Sequence, residues 1–136
     1  MYGGTGLGKT HLSLCIANEV LSKGFTVIYG SAPELFRKVE QEHFGRSEGD
    51  TASALQEAQL LILDDLGADF ESKFYTAALY GIFNSRLSAS LPTIVNTNCD
   101  FPELNRRYGE RITSRLASME RLLFVGKDIR IQKGGF

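Results

Sequence analysis

Apolar residues follow two different spacings along this chain. Side chains three or four positions apart predict amphipathic helices, at residues 9–22, 32–44, 51–58, 73–91, 102–108 and 110–119. Short, almost continuous apolar runs between them predict buried strands, at residues 25–29, 60–63, 93–97 and 122–125. Helices that alternate with such strands indicate an α/β fold, with a mainly parallel sheet between two layers of helices.

Several element boundaries carry their own local signals. Ser31 is suited to cap a helix, and Glu34 lies three positions later, where it can reach back to the cap. Gly24 is placed to end the first helix, and Pro92 breaks the fourth. Gly109 separates the last two helices. These signals support the helix predictions independently of the apolar spacing.

A glycine-rich segment immediately precedes the first helix and satisfies the pattern G-x-x-x-x-G-K-[ST]. Its glycines allow backbone N–H groups to surround phosphates, and the helix presents its positive end to the same anion. Lys9 is expected to reach the β- and γ-phosphates, and the Thr10 hydroxyl to ligate magnesium. The alternative is a glycine-rich turn that matches by chance. The predicted nucleotide-binding segment comprises Gly3, Gly4, Thr5, Gly6, Leu7, Gly8, Lys9, Thr10 and His11.

Two carboxylates end the second predicted strand. Asp64 stands where a second acidic group is needed to hold magnesium, and Asp65 is placed to orient or deprotonate an attacking water. The alternative is a solvated strand end with no chemistry. We expect adjacent parallel strands to bring this pair to the glycine-rich segment, so the predicted cofactors are ATP and Mg²⁺.

Composition narrows the class of protein further. The 136 residues are 43% hydrophobic and 23% charged, with a net charge of −1, which is typical of one globular domain and excludes an overall basic field for nucleic acid. Cys15 and Cys99 show no metal-binding spacing and fit a reducing compartment. No apolar run approaches the ~20 residues of a membrane span. These features predict a cytoplasmic protein without membrane contact.

The position of the glycine-rich segment is unusual, because such a loop normally follows a buried strand. Only Met1 and Tyr2 precede it. We therefore expect residues 1–136 to be the core of a longer protein, with the first strand truncated and an N-terminal domain missing.

Five segments occur in one order: GGTGLGKTHL, LLILDDLG, the polar residues Asn96 to Asn98, GERITSRL and GKDIRI. This series resembles the AAA+ ATPases of the DnaC/DnaI helicase-loader and IstB transposition-helper group. The resemblance implies a P-loop NTPase with a three-layer α/β/α fold and a lid domain that is reduced or absent. It also implies ATP hydrolysis, which we expect to be slow because Asp65 is shorter than the glutamate that many AAA+ enzymes carry.

The resemblance implies roles for three further residues. Asn98 matches the first sensor, between the γ-phosphate and the attacking water; the alternative is a cap for the helix predicted to begin at residue 102. Arg115 matches the arginine finger that a neighbouring subunit inserts into the next ATP site. Arg111, one turn earlier, is an alternative finger, and both arginines could instead pair with Glu110 or Glu120. Arg130 matches the second sensor.

The resemblance also implies partners. A replicative hexameric helicase would bind through the missing N-terminal region, single-stranded DNA would contact Ser72, Lys73 and Phe74, and ATP would promote self-association. The alternative for the last two DNA contacts is a core position for Phe74 and simple solvation for Lys73. The leading functional hypothesis is a loader that places a replicative helicase on single-stranded DNA. The alternatives are an IstB-like transposition helper and a truncated nucleotide-binding module without turnover.

Overall fold

The computed structural model describes residues 8–68 and 72–119, together with the backbone of residues 2–3 and 123–124. These residues form five strands, β1 (Tyr2–Gly3), β2 (Val27–Ser31), β3 (Leu60–Leu66), β4 (Thr93–Thr97) and β5 (Leu123–Phe124). They also form six helices, α1 (Lys9–Ser22), α2 (Ala32–His43), α3 (Thr51–Glu57), α4 (Lys73–Ser88), α5 (Phe101–Tyr108) and α6 (Glu110–Ala117). Apart from the two-residue β1, which was not among the strands predicted from apolar spacing, the order of helices and strands agrees with the prediction.

The strands described pair in parallel in one sheet, in the order β2-β3-β4-β1-β5. Strand β4 therefore lies between β1, which leads to the glycine-rich segment, and β3, which carries the acidic pair. The expectation that these two strands are adjacent was wrong. The intervening strand brings its own carboxyl end, and with it Asn98, between the two motifs.

Different helices cover the two faces of the sheet, because successive residues of a strand point to opposite sides. On one face, Leu60 and Ile62 of β3 pack with Ala17 of α1. On the other face, Leu61 and Leu63 belong to a larger core to which α2, α3, α4, α5 and α6 all contribute buried side chains. The predicted three-layer α/β/α arrangement is confirmed.

Strand β2 differs from the prediction in position and burial. It begins at Val27 instead of Phe25, and Phe25 is 48% exposed. Within the described sheet β2 is an edge strand paired only with β3, so its residues are half-buried and Tyr29 is exposed. An apolar run does not reveal whether its strand lies at the centre or the edge of a sheet.

Helix α1 packs through small and polar residues. Its buried positions are Lys9, Ser13 and Ala17, whereas Leu14 and Leu21 are exposed. Small side chains at four-residue spacing let the helix approach the sheet closely, and the same face directs Lys9 inward. Of the larger apolar residues of α1, Ile16 and Val20 pack half-buried against the core that includes Ala17, whereas Leu14 and Leu21 do not take part.

No helix in the described ranges is both long enough and apolar enough to cross a bilayer. The residues that follow Phe124, including Arg130, lie outside the described part of the chain. The predictions about a second sensor and a reduced lid therefore stay predictions.

Candidate functional site

The ammonium group of Lys9 lies at the carboxyl end of the sheet. Lys9 is the first residue of α1 and only 7% exposed, and its Nζ donates a hydrogen bond to Asn98 Oδ1 at 2.8 Å. The preceding Gly8 has φ 95°, a left-handed conformation that favours glycine. This turn starts the helix at the point that brings Lys9 to the end of β4.

Asn98 does not cap the helix that follows it. The cap of α5 is Asp100, whose Oδ1 accepts a hydrogen bond from the Glu103 N–H at 2.9 Å. The alternative structural role proposed for Asn98 was therefore wrong. Its side chain is directed to Lys9 instead.

Thr10 and Asp64 are in direct contact. The Thr10 hydroxyl donates to Asp64 Oδ2 at 3.0 Å, although the two residues are 54 positions apart in the chain. Asp64 is 9% exposed, whereas Thr10 faces solvent. A hydroxyl and a carboxylate are the oxygen ligands that Mg²⁺ prefers, and Mg²⁺ commonly takes one or two protein ligands together with phosphates. The pair therefore fits a magnesium ion bound with a nucleotide.

A site formed entirely by protein ligands does not fit the part of the chain that the structure describes. Within that part, no group of three or more His, Cys, Asp or Glu side chains could hold a metal ion. Phosphate oxygens and water would therefore have to complete the coordination of the metal.

Asp65 lies where β3 departs from regular strand geometry. Its φ is 55°, and the register between β3 and β4 shifts between Leu63 and Leu66. Aspartate is one of the few residues other than glycine that adopt this conformation readily. The irregularity leaves Asp64 buried and Asp65 exposed, while both carboxylates interact with Lys9.

The charges of the site influence one another. Partial desolvation raises the pKa of the Asp65 carboxyl although the residue is exposed; the Asp64 charge adds to this rise and Lys9 opposes it. Desolvation also lowers the pKa of Lys9, while Asp64 and Asp65 act in the opposite direction. A raised pKa makes Asp65 a stronger base than an ordinary surface aspartate.

A polar contact behind the site connects α1 to β4. Asn96 and Ser13 are both fully buried, and Asn96 Nδ2 donates to Ser13 Oγ at 2.7 Å. The contact lies two residues before Asn98 on the strand and four residues after Lys9 on the helix. It therefore helps to hold the two elements that carry these side chains in a constant relative position.

Tyr29 is a member of the site that sequence reasoning missed. Its hydroxyl donates to Asp64 Oδ2 at 2.8 Å. Desolvation, followed by the hydrogen bond to Asp64, raises the pKa of Tyr29 to about 12. A tyrosine near the carboxyl end of a parallel strand was the available signal, since such ends meet at one edge of a sheet. The apolar pattern of β2 obscured it.

Arg115 lies on α6 and contacts α4, away from the contacts described above. Its guanidinium is 5.4 Å from the centre of the Tyr80 ring, and it donates to Asn84 Oδ1 at 3.3 Å. Arg111 lies over the same ring at 5.7 Å. Within the described ranges neither arginine forms an ion pair with Glu110, and Glu120 lies outside them. The role of either arginine in a neighbouring site stays a prediction.

The predicted DNA-contacting residues lie at the start of α4. Ser72 caps the helix, its Oγ accepting from the Tyr75 N–H at 3.0 Å, and Lys73 is exposed. Phe74 is half-buried and packs against the main core and the His43 ring. The core alternative for Phe74 is therefore supported in part.

A groove of about 660 Å³ is lined by Ser72 and Lys73 and also by Arg111.

The remaining residues of the predicted nucleotide-binding segment make no described contact with the Asp64 or Asn98 side chains. His11 is exposed on α1, with its Nε2 3.7 Å from Cys15 Sγ. Gly3 belongs to β1, and Gly4, Thr5, Gly6 and Leu7 lie outside the described residues.

Comparison with known proteins gives a consistent family. Residues 1–135 match the sequence model of the family described as IstB-like ATP binding protein. The chain is 30% identical over 116 residues to the replicative helicase loader DnaC of Escherichia coli K12, covering 84% of this chain and 47% of that protein. It is 28% identical over 138 residues to the replicative helicase loader DnaI of Bacillus subtilis 168, covering 96% of this chain and 44% of that protein. The chain thus spans less than half the length of these relatives.

The fold has relatives among solved structures. The crystal structure of a DnaC helicase loader superposes with a TM-score of 0.79 at 24% identity, covering 93% of this chain and 76% of that one. At this identity the likeness concerns the fold alone. Because the family model covers almost every residue and the motifs occur in the expected order, this chain belongs to the IstB-like ATP-binding protein family.

Proposed function

We propose that this chain is the ATPase core of a protein that loads a replicative helicase onto single-stranded DNA. The observation that carries the proposal is that three separate motifs converge, through the contacts Lys9–Asn98 and Thr10–Asp64. The names of its relatives, replicative helicase loaders, support the cellular role.

The chemistry proposed for the site is phosphoryl transfer from ATP to water. Lys9 binds the β- and γ-phosphates, and Thr10 ligates the metal while donating its proton to Asp64. Magnesium, when bound, neutralises charge on the phosphates. Asn98 orients the attacking water and Asp65 accepts its proton. Hydrolysis is slow, because the short Asp65 side chain lies further from the water than a glutamate would.

Oligomer formation completes the proposed site. Arg115 acts in a neighbouring subunit's ATP site, where its charge stabilises the transferring phosphoryl group. Its position on α6 supports this, because Tyr80 and Asn84 hold the guanidinium at the protein surface. The nucleotide would then lie between subunits, so ATP binding and hydrolysis would control assembly and release.

Single-stranded DNA is the second proposed partner. Ser72 and Lys73 would contact phosphates and Phe74 would stack a base. The groove that joins Ser72 and Lys73 to Arg111 supports phosphate contact at this place. The net charge of −1 requires such contacts to be local.

A second candidate is a helper ATPase of DNA transposition, which the family match over residues 1–135 favours. Both candidates use the same ATPase core, so the site does not separate them. Because the helicase is expected to bind through a region that precedes this core, the two candidates are separated by affinity purification of the longer protein that contains the core, with a hexameric helicase and with a transposase, each supplied in purified form. Nucleotide-dependent retention of the transposase alone would exclude the loader function.

Nucleotide binding is the first property to test, by titration of a fluorescent ATP analogue with magnesium. Lys9→Ala should raise the dissociation constant at least about tenfold, because a charge-assisted contact to the phosphates is lost. Lys23→Ala, at the other end of α1 and exposed, is the matched control and should bind normally. An unchanged constant for Lys9→Ala would overturn the phosphate-site assignment.

Turnover is tested with two further variants. Asp65→Asn should bind ATP normally and lose hydrolysis; normal hydrolysis would exclude Asp65 as the base.

Arg115→Ala should also bind ATP and lose hydrolysis. Mixing Arg115→Ala with Lys9→Ala should restore part of the activity, because one subunit then supplies the arginine and the other a competent ATP site. Failure of mixed oligomers to recover hydrolysis would argue against action in trans.

A further inference from the structure

Tyr29 contacts the predicted magnesium site from a strand that carries none of the nucleotide-binding motifs. The Asp64 carboxylate accepts three hydrogen bonds in the described structure. Oδ2 accepts from the Tyr29 hydroxyl at 2.8 Å and from the Thr10 hydroxyl at 3.0 Å, and Oδ1 accepts from the Asp65 N–H at 3.1 Å. A carboxylate offers about four acceptor positions, so its orientation is strongly constrained.

The consequence concerns Thr10. A hydroxyl has one proton to donate and two lone pairs to offer. When the Thr10 proton is directed to Asp64 Oδ2, the Thr10 lone pairs are directed away from the carboxylate, where a cation can accept them. The direction of these lone pairs therefore depends on the orientation of Asp64. Two donors fix that orientation: the Tyr29 hydroxyl donates to Oδ2 and the Asp65 N–H donates to Oδ1.

We propose that Tyr29 is a positioning residue for magnesium, which fixes the Asp64 carboxylate so that Thr10 presents its lone pairs to the ion. This inference rests on the proposed nucleotide site and deepens it. Tyr29 does not contact the metal or the nucleotide itself, and it acts through Asp64. Its loss therefore weakens the response to magnesium more than it weakens metal-free nucleotide binding.

The surroundings of Tyr29 distinguish this role from packing. Tyr29 is 38% exposed on the edge strand β2, and neither hydrophobic core includes it. Tyr29→Phe keeps the ring and removes only the hydroxyl, so the fold should be preserved. The matched control is Tyr75→Phe, which removes a tyrosine hydroxyl from the main core and not from the predicted magnesium site.

The experiment measures the dissociation constant of a fluorescent ATP analogue in EDTA and across a magnesium series. For Tyr29→Phe, the constant in EDTA should match that of the unmodified chain. The magnesium concentration that gives half of the affinity gain should rise about three- to tenfold, as expected for a lost hydrogen bond to a charged group that water partly replaces. Tyr75→Phe should follow the unmodified chain throughout, and thermal melting should show that both variants are folded.

Two results would overturn the inference. An unchanged magnesium response in Tyr29→Phe would show that Asp64 is oriented without Tyr29. A stronger response would show that the Tyr29 hydroxyl competes with the ion for Oδ2. Failure of the proposed site would look different, because the unmodified chain would then bind no nucleotide under any metal condition.

Discussion

Arg86 offers the sharpest test of how the described core is held together. It is fully buried in α4, and its hydrogen bonds go to backbone carbonyls and one hydroxyl. It donates to Leu55 O at 2.9 Å, Ala58 O at 2.7 Å and Pro92 O at 2.7 Å, and to Thr93 Oγ1 at 2.8 Å. One side chain thus joins the end of α3, the end of α4 and the start of β4.

We expect Arg86→Met to destabilise the fold by about 3 kcal/mol. The substitution keeps an apolar stem but leaves the buried carbonyls of Leu55 and Ala58 without this donor, at about 1–3 kcal/mol each. The Pro92 carbonyl still accepts from the Leu61 N–H at 3.2 Å, so losing the Arg86 hydrogen bond there costs less free energy. Removing a charge that has to be desolvated offsets part of the penalty.

Thermal unfolding followed by circular dichroism measures the effect. For a domain of this length, about 3 kcal/mol corresponds to a fall in Tm of about 10 °C. Arg106→Met is the matched control, because the Arg106 side chain is 73% exposed and pairs with Glu103 at the surface. It should change stability by less than about 1 kcal/mol. If Arg86→Met has the same Tm as this control, the buried carbonyls do not need the guanidinium as a hydrogen-bond donor, and the reasoning is refuted.

Three other substitutions test local features. Hydrogen bonds from Thr51 lower the Glu42 pKa, so this contact stabilises the fold above the unfolded pKa and is lost as pH falls through the lowered folded pKa. The Tm deficit of Glu42→Gln should therefore be full above the ordinary pKa of a glutamate and shrink as pH falls below it. Asp65 has a left-handed φ, which aspartate and asparagine adopt more readily than glutamate, so Asp65→Glu should lower Tm by an amount that corresponds to about 1 kcal/mol, whereas Asp65→Asn should not. Equal Tm values for the two variants would contradict this reasoning. Gly67→Ala would place a Cβ 2.5 Å from Cys99 Sγ at a φ of 99°, so Tm should fall, and Cys99→Ala in the same chain should restore part of it.

Local sequence patterns predicted most of the elements correctly. Helix α1 and strand β4 have the predicted bounds, and Ser31 caps α2, accepting from the Glu34 N–H at 3.3 Å. These features depend on residues within one or two turns of each other, so neighbouring sequence contains the information. The phosphate and acidic motifs were recognisable as candidates for the same reason, since each motif is contiguous.

Sequence reasoning failed where long-range contacts decide the outcome. Apolar spacing on α4 did not reveal that Arg86 is buried, because its partners lie in two other segments. Similarly, Phe25 was predicted to lie in a buried strand and is exposed. In both cases the number and position of neighbouring elements determine burial, and a single segment contains no information about them.

The sequence by itself determined the class of fold, the order of the elements and the chemical groups available for nucleotide binding. Only the tertiary structure decided that β4 separates β1 from β3 and that Tyr29 joins Thr10 at Asp64. The physical reason is that spacing along the chain is a local property. Strand order and the meeting of side chains depend on how the whole sheet packs with its helices.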